Sequence, residues 1–211
     1  TPDAVEDMIL GTMFFAVSAE NIRKRKSPFT DRMGSEVAAK TITIRDDGRI
    51  PGGISSYAFD REGIPPEPLA IVDRGILANF LYNGKEAAAD GRRSTGHEAG
   101  GARGLPGIGP TGIDMSAGDT PLSKILDVTR ALLVYRYSGN TNPVSGDFSG
   151  VAKNSFLIAG GEKRPVSETM IAGNMYEMMK RVRDVSRERK RLDSGALVPW
   201  IVLADVSVTA G

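Results

Sequence analysis

Four short stretches carry residue types that could do chemistry. His97-Glu98 matches the first two positions of the zinc-protease pattern H-E-x-x-H, in which two imidazoles one helical turn apart share a face and hold one metal. Position 101 is Gly, and the flanking Gly96, Gly100 and Gly101 are unsuited to a helix. The pair therefore reads as a loop histidine making ordinary hydrogen bonds. Ser145-Gly146-Asp147-Phe148-Ser149 puts two hydroxyls and a carboxylate in one turn. A serine hydrolase built there would need His97 as its base, and no G-x-S-x-G elbow supports it. An Asx-type turn, with the Asp147 carboxylate accepting backbone N–H groups, is the simpler reading. Gly107 to Gly112 spells G-x-G-x-x-G without a clean strand before it or a helix at its end. Pro106 and Pro110 also remove N–H groups that a phosphate cradle would use. Arg181 to Arg191 mixes Arg and Lys with Asp184 and Glu188, which at helical spacing makes a solvated face. The cluster Arg23 to Lys26 reads the same way.

Composition narrows the chemistry further. The chain has 211 residues, no cysteine, one histidine and a formal net charge of +1. Disulfides, thiol nucleophiles and cysteine ligands are excluded, as is any site needing two imidazoles from these residues. The near-neutral balance argues against direct nucleic-acid binding, which usually leaves a basic excess. No apolar run approaches the roughly 18 residues of a membrane span, and no signal-peptide layout opens the sequence. A cytoplasmic globular protein without membrane attachment is expected. The first residue is Thr1, in keeping with a processed form or an excised domain.

The elements that must position these residues follow from pattern. Pro2 to Phe15 predicts an amphipathic helix, capped by Thr1 or Asp3 and burying Val5, Met8 and Ile9. Thr41 to Ile44 predicts a strand ending in an Asp46-Asp47-Gly48 turn. Pro51 to Pro68 is a long irregular connection. Leu69 to Asp73 and Ile76 to Tyr82 predict a hairpin about Arg74-Gly75, and Lys85 to Asp90 a short helix. Residues 91–118 are too rich in glycine and small polar residues to supply a helix or a central strand. Thr120-Pro121 opens a helix with Leu122, Ile125 and Leu126 as its buried stripe, followed by a strand over Ala131 to Tyr137. Ser155 to Ile158 and Lys163 to Val166 predict a hairpin through Gly160-Gly161. A second long helix is predicted from Asn174, with Ile171, Met175, Met178, Val182 and Val185 facing the core. Methionines 170, 175, 178 and 179 read as core filling. Leu197 to Val208 closes the chain as a strand. Hairpins with a few helices, rather than alternating βαβ units, predict a single α+β domain over 1–211, with strand-rich mixed or antiparallel sheets and two or three helices.

Taken in order, the motifs resemble a known family. Ser94-Thr95-Gly96-His97, Gly139-Asn140, Val144 to Ser149, Pro165-Val166-Ser167-Glu168 and Ile171-Ala172-Gly173-Asn174 are similar to the C-terminal domain of the TldD/PmbA (TldE) family. Arg23 to Gly34, Phe59-Asp60-Arg61-Glu62-Gly63 and the closing Val208-Thr209-Ala210-Gly211 fit the same domain. The resemblance is to the PmbA/TldE side. It implies a metalloprotease of two related subunits that trims peptides, in which TldD carries zinc on an H-E-x-x-x-H helix of its N-terminal domain with a cysteine from its C-terminal domain. This chain has no second histidine and no cysteine, and the family's N-terminal domain is expected to be absent from it. The resemblance thus implies a non-catalytic subunit or domain with no catalytic residue, no metal ligand and no cofactor of its own. Zinc is expected only in a TldD-like partner, and the expected partners are that subunit, or a second copy in a dimer, and unfolded peptide. An independent serine-type hydrolase using Ser145 or Ser149 with His97 and Asp147 is one alternative. A regulatory binding protein of the gyrase-modulator type is the other. A substrate is expected near His97, Asp147 and Asn174, provided the three side chains converge on one cleft. Otherwise Asn174 is a helix cap and Asp147 a turn residue.

Overall fold

The computed structural model describes residues 1–101, 103–167 and 169–209. Glu168 and Ala210-Gly211, which belong to the motifs above, lie outside the described residues. The chain opens with α1 (Pro2–Val5), a π-helical turn (Glu6–Leu10), α2 (Gly11–Val17) and α3 (Ala19–Arg23). The strands β1 (Ile44–Asp46), β2 (Leu69–Asp73) and β3 (Ile76–Leu77) follow, then α4 (Gly84–Ala89). Next come β4 (Glu98–Ala99), β5 (Gly107–Ile108), β6 (Ile113–Met115), α5 (Leu122–Leu126) and β7 (Arg130–Leu133). The remainder is β8 (Arg136–Thr141), β9 (Asp147–Lys153), β10 (Phe156–Ala159), β11 (Glu162–Pro165), β12 (Met170–Asn174), α6 (Met175–Lys180), β13 (Val182–Arg191), β14 (Leu197–Leu203) and β15 (Ser207–Thr209).

The architecture is strand-rich α+β, as the pattern predicts. The largest sheet has the order β13-β14-β6-β1-β2-β3, and a second has the order β15-β12-β9-β8. A three-stranded sheet, β11-β10-β7, and the pair β4-β5 complete the set. Registered pairs are antiparallel except β14 with β6, which meet in parallel at Leu197 and Asp114. One core joins the N-terminal helices to the sheets. Leu10, Met13 and Val17 pack in the cluster that holds Ile44, Ile71, Leu77, Leu81, Met115, Met175, Met179 and Val198. No helix among the described residues is long and apolar enough to cross a membrane.

Several local predictions hold for the predicted reason. The Thr1 hydroxyl accepts from the Ala4 N–H and Pro2 sits in the first turn, so the first helix starts where the cap pattern puts it. Helical backbone continues to Val17 and ends where Ser18 turns extended. The β10–β11 hairpin turns through Gly160 (φ 58°) and Gly161 (φ 81°), the left-handed pair that a two-residue turn between twisted strands requires.

Several readings are corrected. The glycine-rich stretch 91–118 does supply a central strand: β6 lies between β14 and β1, with Met115 fully buried. The second helix stops at Lys180, and the charged run forms β13 rather than a helical face. Register shifts between Val182 and Asp184 and between Val185 and Arg189 break simple alternation there, which disguises the strand. Asp46 is the buried last residue of β1, and the turn begins after it. Finally, α5 buries none of its residues fully, and Met170 is about half exposed.

Candidate functional site

The His97 and Asp147–Asn174 motifs belong to different sheets. His97, directly before β4, is completely buried. Its Nδ1 lies 2.8 Å from Thr95 Oγ1. The Thr95 hydroxyl also accepts from the Tyr82 N–H (2.9 Å) and lies 3.1 Å from the Tyr82 carbonyl. The tautomer decides whether Nδ1 or the Thr95 hydroxyl donates in the contact between them, and Nε2 faces Asp46 Oδ2 at 3.6 Å. At that separation the two make no hydrogen bond, and Nε2 has no hydrogen-bond partner among the described residues.

Asp46 is held tightly. Its Oδ2 accepts from Thr111 N–H at 2.9 Å, and its Oδ1 from Gly112 N–H at 2.8 Å and from the Thr111 hydroxyl. Burial alone would push this carboxyl up. The His97 imidazole and the Thr111 donors outweigh burial and hold it below the usual carboxylate range. The arrangement fastens β1 to the glycine-rich loop before β6 and to the segment bearing His97. This is why Thr111-Gly112 approaches a strand end 65 residues earlier.

Beside it, Glu98 on β4 is buried with neither carboxylate oxygen hydrogen-bonded. Arg61 Nη1 lies 3.3 Å from Glu98 Oε1, and the Glu98 N–H donates to Asp60 Oδ2 at 3.1 Å. Asp60 Oδ1 accepts from the N–H groups of Glu62 (2.9 Å) and Ile64 (3.0 Å). Tyr57 donates its hydroxyl to the Gly96 carbonyl at 2.9 Å, and the Glu67 N–H reaches the Thr95 carbonyl at 3.0 Å. The irregular stretch 51–68 is thus pinned against His97-Glu98 by several bonds. Burial, followed by the negative field of Asp46, Asp60 and Glu98, raises the Tyr57 phenol to about 12.

The other motif is a turn-and-cap junction at the surface. Asn174 Oδ1 accepts from the N–H groups of Tyr176 (3.1 Å) and Glu177 (3.2 Å), which caps α6. Its Nδ2 donates to the Ser145 carbonyl at 2.8 Å and to Asp147 Oδ1 at 2.9 Å. The Ser145 hydroxyl donates to Asp147 Oδ2 at 2.8 Å. Asn174 and then Ser145 hold the Asp147 carboxyl below its ordinary range. Asn142, not Asp147, makes the Asx-type turn, its Oδ1 accepting from Val144 N–H at 3.0 Å.

The expected residues therefore fall in two places. Asp147 and Asn174 touch one another, while His97 bonds to Thr95 and faces Asp46 in the interior. A Ser145–His97 relay is not assembled: Ser145 bonds to Asp147, and the only imidazole is spent elsewhere. Sequence reasoning missed Asp46, Thr111 and the Arg61–Glu98 pair. The Asp46-Asp47-Gly48 spelling favours a turn, and nothing local marks Asp46 as the partner of a distant loop. Among the described residues no three His, Cys, Asp or Glu side chains are arranged to hold a metal. The donor set here does not suit zinc, since it has no thiolate and its imidazole is enclosed.

The family model of the PmbA/TldA metallopeptidase C-terminal domain matches residues 1–210. The chain belongs to that family. It is similar to TldE from Thermococcus kodakarensis, with a TM-score of 0.89 and 27% identity over 100% of this chain and 49% of that one. The metalloprotease PmbA of Escherichia coli O157:H7 is 26% identical over 93% of this chain and 43% of its own length. A metalloprotease TldD homolog from Buchnera aphidicola is 30% identical over 82% of this chain and 36% of its own. The chain thus spans less than half the length of these relatives.

Proposed function

We propose that this domain is the zinc-free, PmbA/TldE-type half of a two-subunit peptide-processing metalloprotease, and that zinc resides only in a TldD-like partner. Sequence identity does not choose the side, because PmbA and TldD relatives score alike. Donor chemistry favours it. The resemblance implies that a TldD C-terminal domain brings a cysteine to zinc, whereas this domain has no cysteine and its one histidine is enclosed between Thr95 and Asp46. That enclosed imidazole is the observation that carries the reading. The likeness to TldE over the full chain supports it. On this reading the domain contributes walls and peptide contacts in a cytoplasmic pair of subunits, and the Asp147–Asn174 junction and His97 serve structure.

The test is to purify the chain alone and with a TldD-type partner, measure bound zinc by mass spectrometry, and assay cleavage of an unfolded peptide with and without EDTA. We expect no stoichiometric zinc and no cleavage from the chain alone, and EDTA-sensitive cleavage from the pair. Stoichiometric zinc on the lone chain, or cleavage by it that survives EDTA, would overturn the reading.

A further inference from the structure

Glu98 has no role in the reading above, and its surroundings are unusual. Its side chain is 0% exposed, and both oxygens lack a hydrogen-bond partner. A buried carboxylate normally collects several donors, because leaving it unpaired costs several kcal/mol. Among the described residues the one ion pair Glu98 makes is with Arg61, a contact at 3.3 Å that does not qualify as a hydrogen bond. A guanidinium offers five donors in a fork that matches a carboxylate two-to-two, and this geometry uses little of it. The neighbouring carboxylates do not compensate: Asp60 is committed to backbone N–H groups, and Asp46 to Thr111, Gly112 and His97. Glu98 thus sits among carboxylates, with Arg61 in partial contact.

The walls suit a group that comes and goes. Arg61 stands on the irregular 51–68 stretch and is 37% exposed, so its guanidinium communicates with solvent. Across from it runs the glycine-rich loop after β4. Gly100 has φ 141°, and a Cβ there would lie 3.1 Å from Arg61 Nη1 and 3.9 Å from Glu98 Oε1. The glycine leaves open the space in which the guanidinium lies and gives the loop a hinge that other residues rarely supply. Phe59, two residues before Arg61, and Leu105, on the loop after β4, are exposed apolar residues (65% and 92%) that would supply a rim to the site proposed below.

We propose that Glu98 is the floor of a guanidinium pocket in which Arg61 is a displaceable internal occupant, and that the pocket takes the arginine side chain of a peptide. The incoming guanidinium forms the two-pronged pair with Glu98, and Arg61 swings to solvent. No bond is made or broken. The pocket belongs to this chain's own residues and stands whether or not the zinc-free-subunit reading holds.

The test uses methylguanidinium, and separately an acetylated arginine amide, titrated into the native 211-residue chain, Arg61→Ala and the double variant Arg61→Ala/Glu98→Gln by calorimetry. Removing the internal competitor should tighten binding about tenfold or more in Arg61→Ala, because the free pocket is no longer a minor state. The double variant should lose that binding. Equal binding by the two variants, or none to Arg61→Ala, would overturn the proposal. If the arginine amide binds tighter than methylguanidinium, the apolar rim contributes; equal affinities confine the site to the guanidinium. A lysine amide that binds as tightly as the arginine amide would overturn the specificity for the forked group. Should Arg61→Ala not fold, the native chain with 15N-labelled arginine serves, its Arg61 Nε–H signal assigned with Arg61→Lys. Saturable movement of that signal toward the free-arginine position on titration supports displacement, and an unmoved signal overturns it.

Discussion

Asp46→Asn tests whether the interior pair with His97 holds the two ends of the site together. The substitution keeps shape and removes charge. In the native chain the carboxylate faces His97 Nε2 at 3.6 Å and accepts from Thr111 and Gly112, all out of water. The amide turns an acceptor into a donor against existing donors, so a bond is lost whichever way it flips. Taking the charge from a buried carboxylate that accepts several donors, and leaving donors mismatched, costs about 3–5 kcal/mol, a large share of the 5–15 kcal/mol that holds a typical domain together. For a domain of this size that corresponds to a Tm lower by roughly 6–20 °C. The pH dependence supplies a second check. Because the Asp46 carboxyl is held below its unfolded value, its stabilisation is complete above about pH 4 and is lost as pH falls through the folded-state value. Urea unfolding of native and variant chains should therefore show a constant gap from pH 7 to about 5 that narrows below about 4. A loss under about 1 kcal/mol, or a gap that stays constant to pH 3, would refute the argument.

Other perturbations read other parts of the fold. Asn174→Ala removes the cap of α6 and both donors to the Ser145–Asp147 turn, and should cost about 1–2 kcal/mol in urea unfolding. Asn174→Asp keeps the cap oxygen but sets a second carboxylate beside Asp147, so its deficit at pH 7 should shrink on acidification, measured the same way. Met115→Ala truncates a fully buried side chain on the strand that joins β14 to β1, and should cost about 2–5 kcal/mol with no change in denaturant slope. Ser145→Ala should leave peptide cleavage by the chain with its TldD-type partner unchanged, since Ser145 serves the turn; a fall of tenfold or more in cleavage rate would reopen the hydrolase reading.

Legibility in the sequence tracked how local each determinant is. The first helix, the Gly160-Gly161 hairpin and the Asn174 cap are set by neighbours within about one turn, and their residues say so. The second helix failed at Arg181 because Met175, Met178, Val182 and Val185 keep helical spacing although only the first two are helical. Val182 and Val185 are buried by pairing with β14, a contact no local window contains. The three residues of β6 are central only because β1 and β14 flank them. The candidate site divides the same way. The residues of the Ser145–Asp147–Asn174 junction, in register where β9 meets β12, stand in stretches that are legible as motifs. The partnership of Asp46 with Thr111 and His97 crosses the fold and left no spelling to read.

The enclosed position of His97 also makes the chain its own gauge of interior opening. With one histidine in 211 residues, each imidazole carbon-bound proton, on Cδ2 and on Cε1, gives one line that needs no assignment by mutagenesis. Because that ring is 0% exposed, its reaction with a diffusing reagent can proceed only when segments packed around it part, the 51–68 stretch and the 109–112 loop among them. The rate of that reaction, set against the free imidazole's, is a direct measure of how often this corner of the domain comes apart while the remainder stays folded.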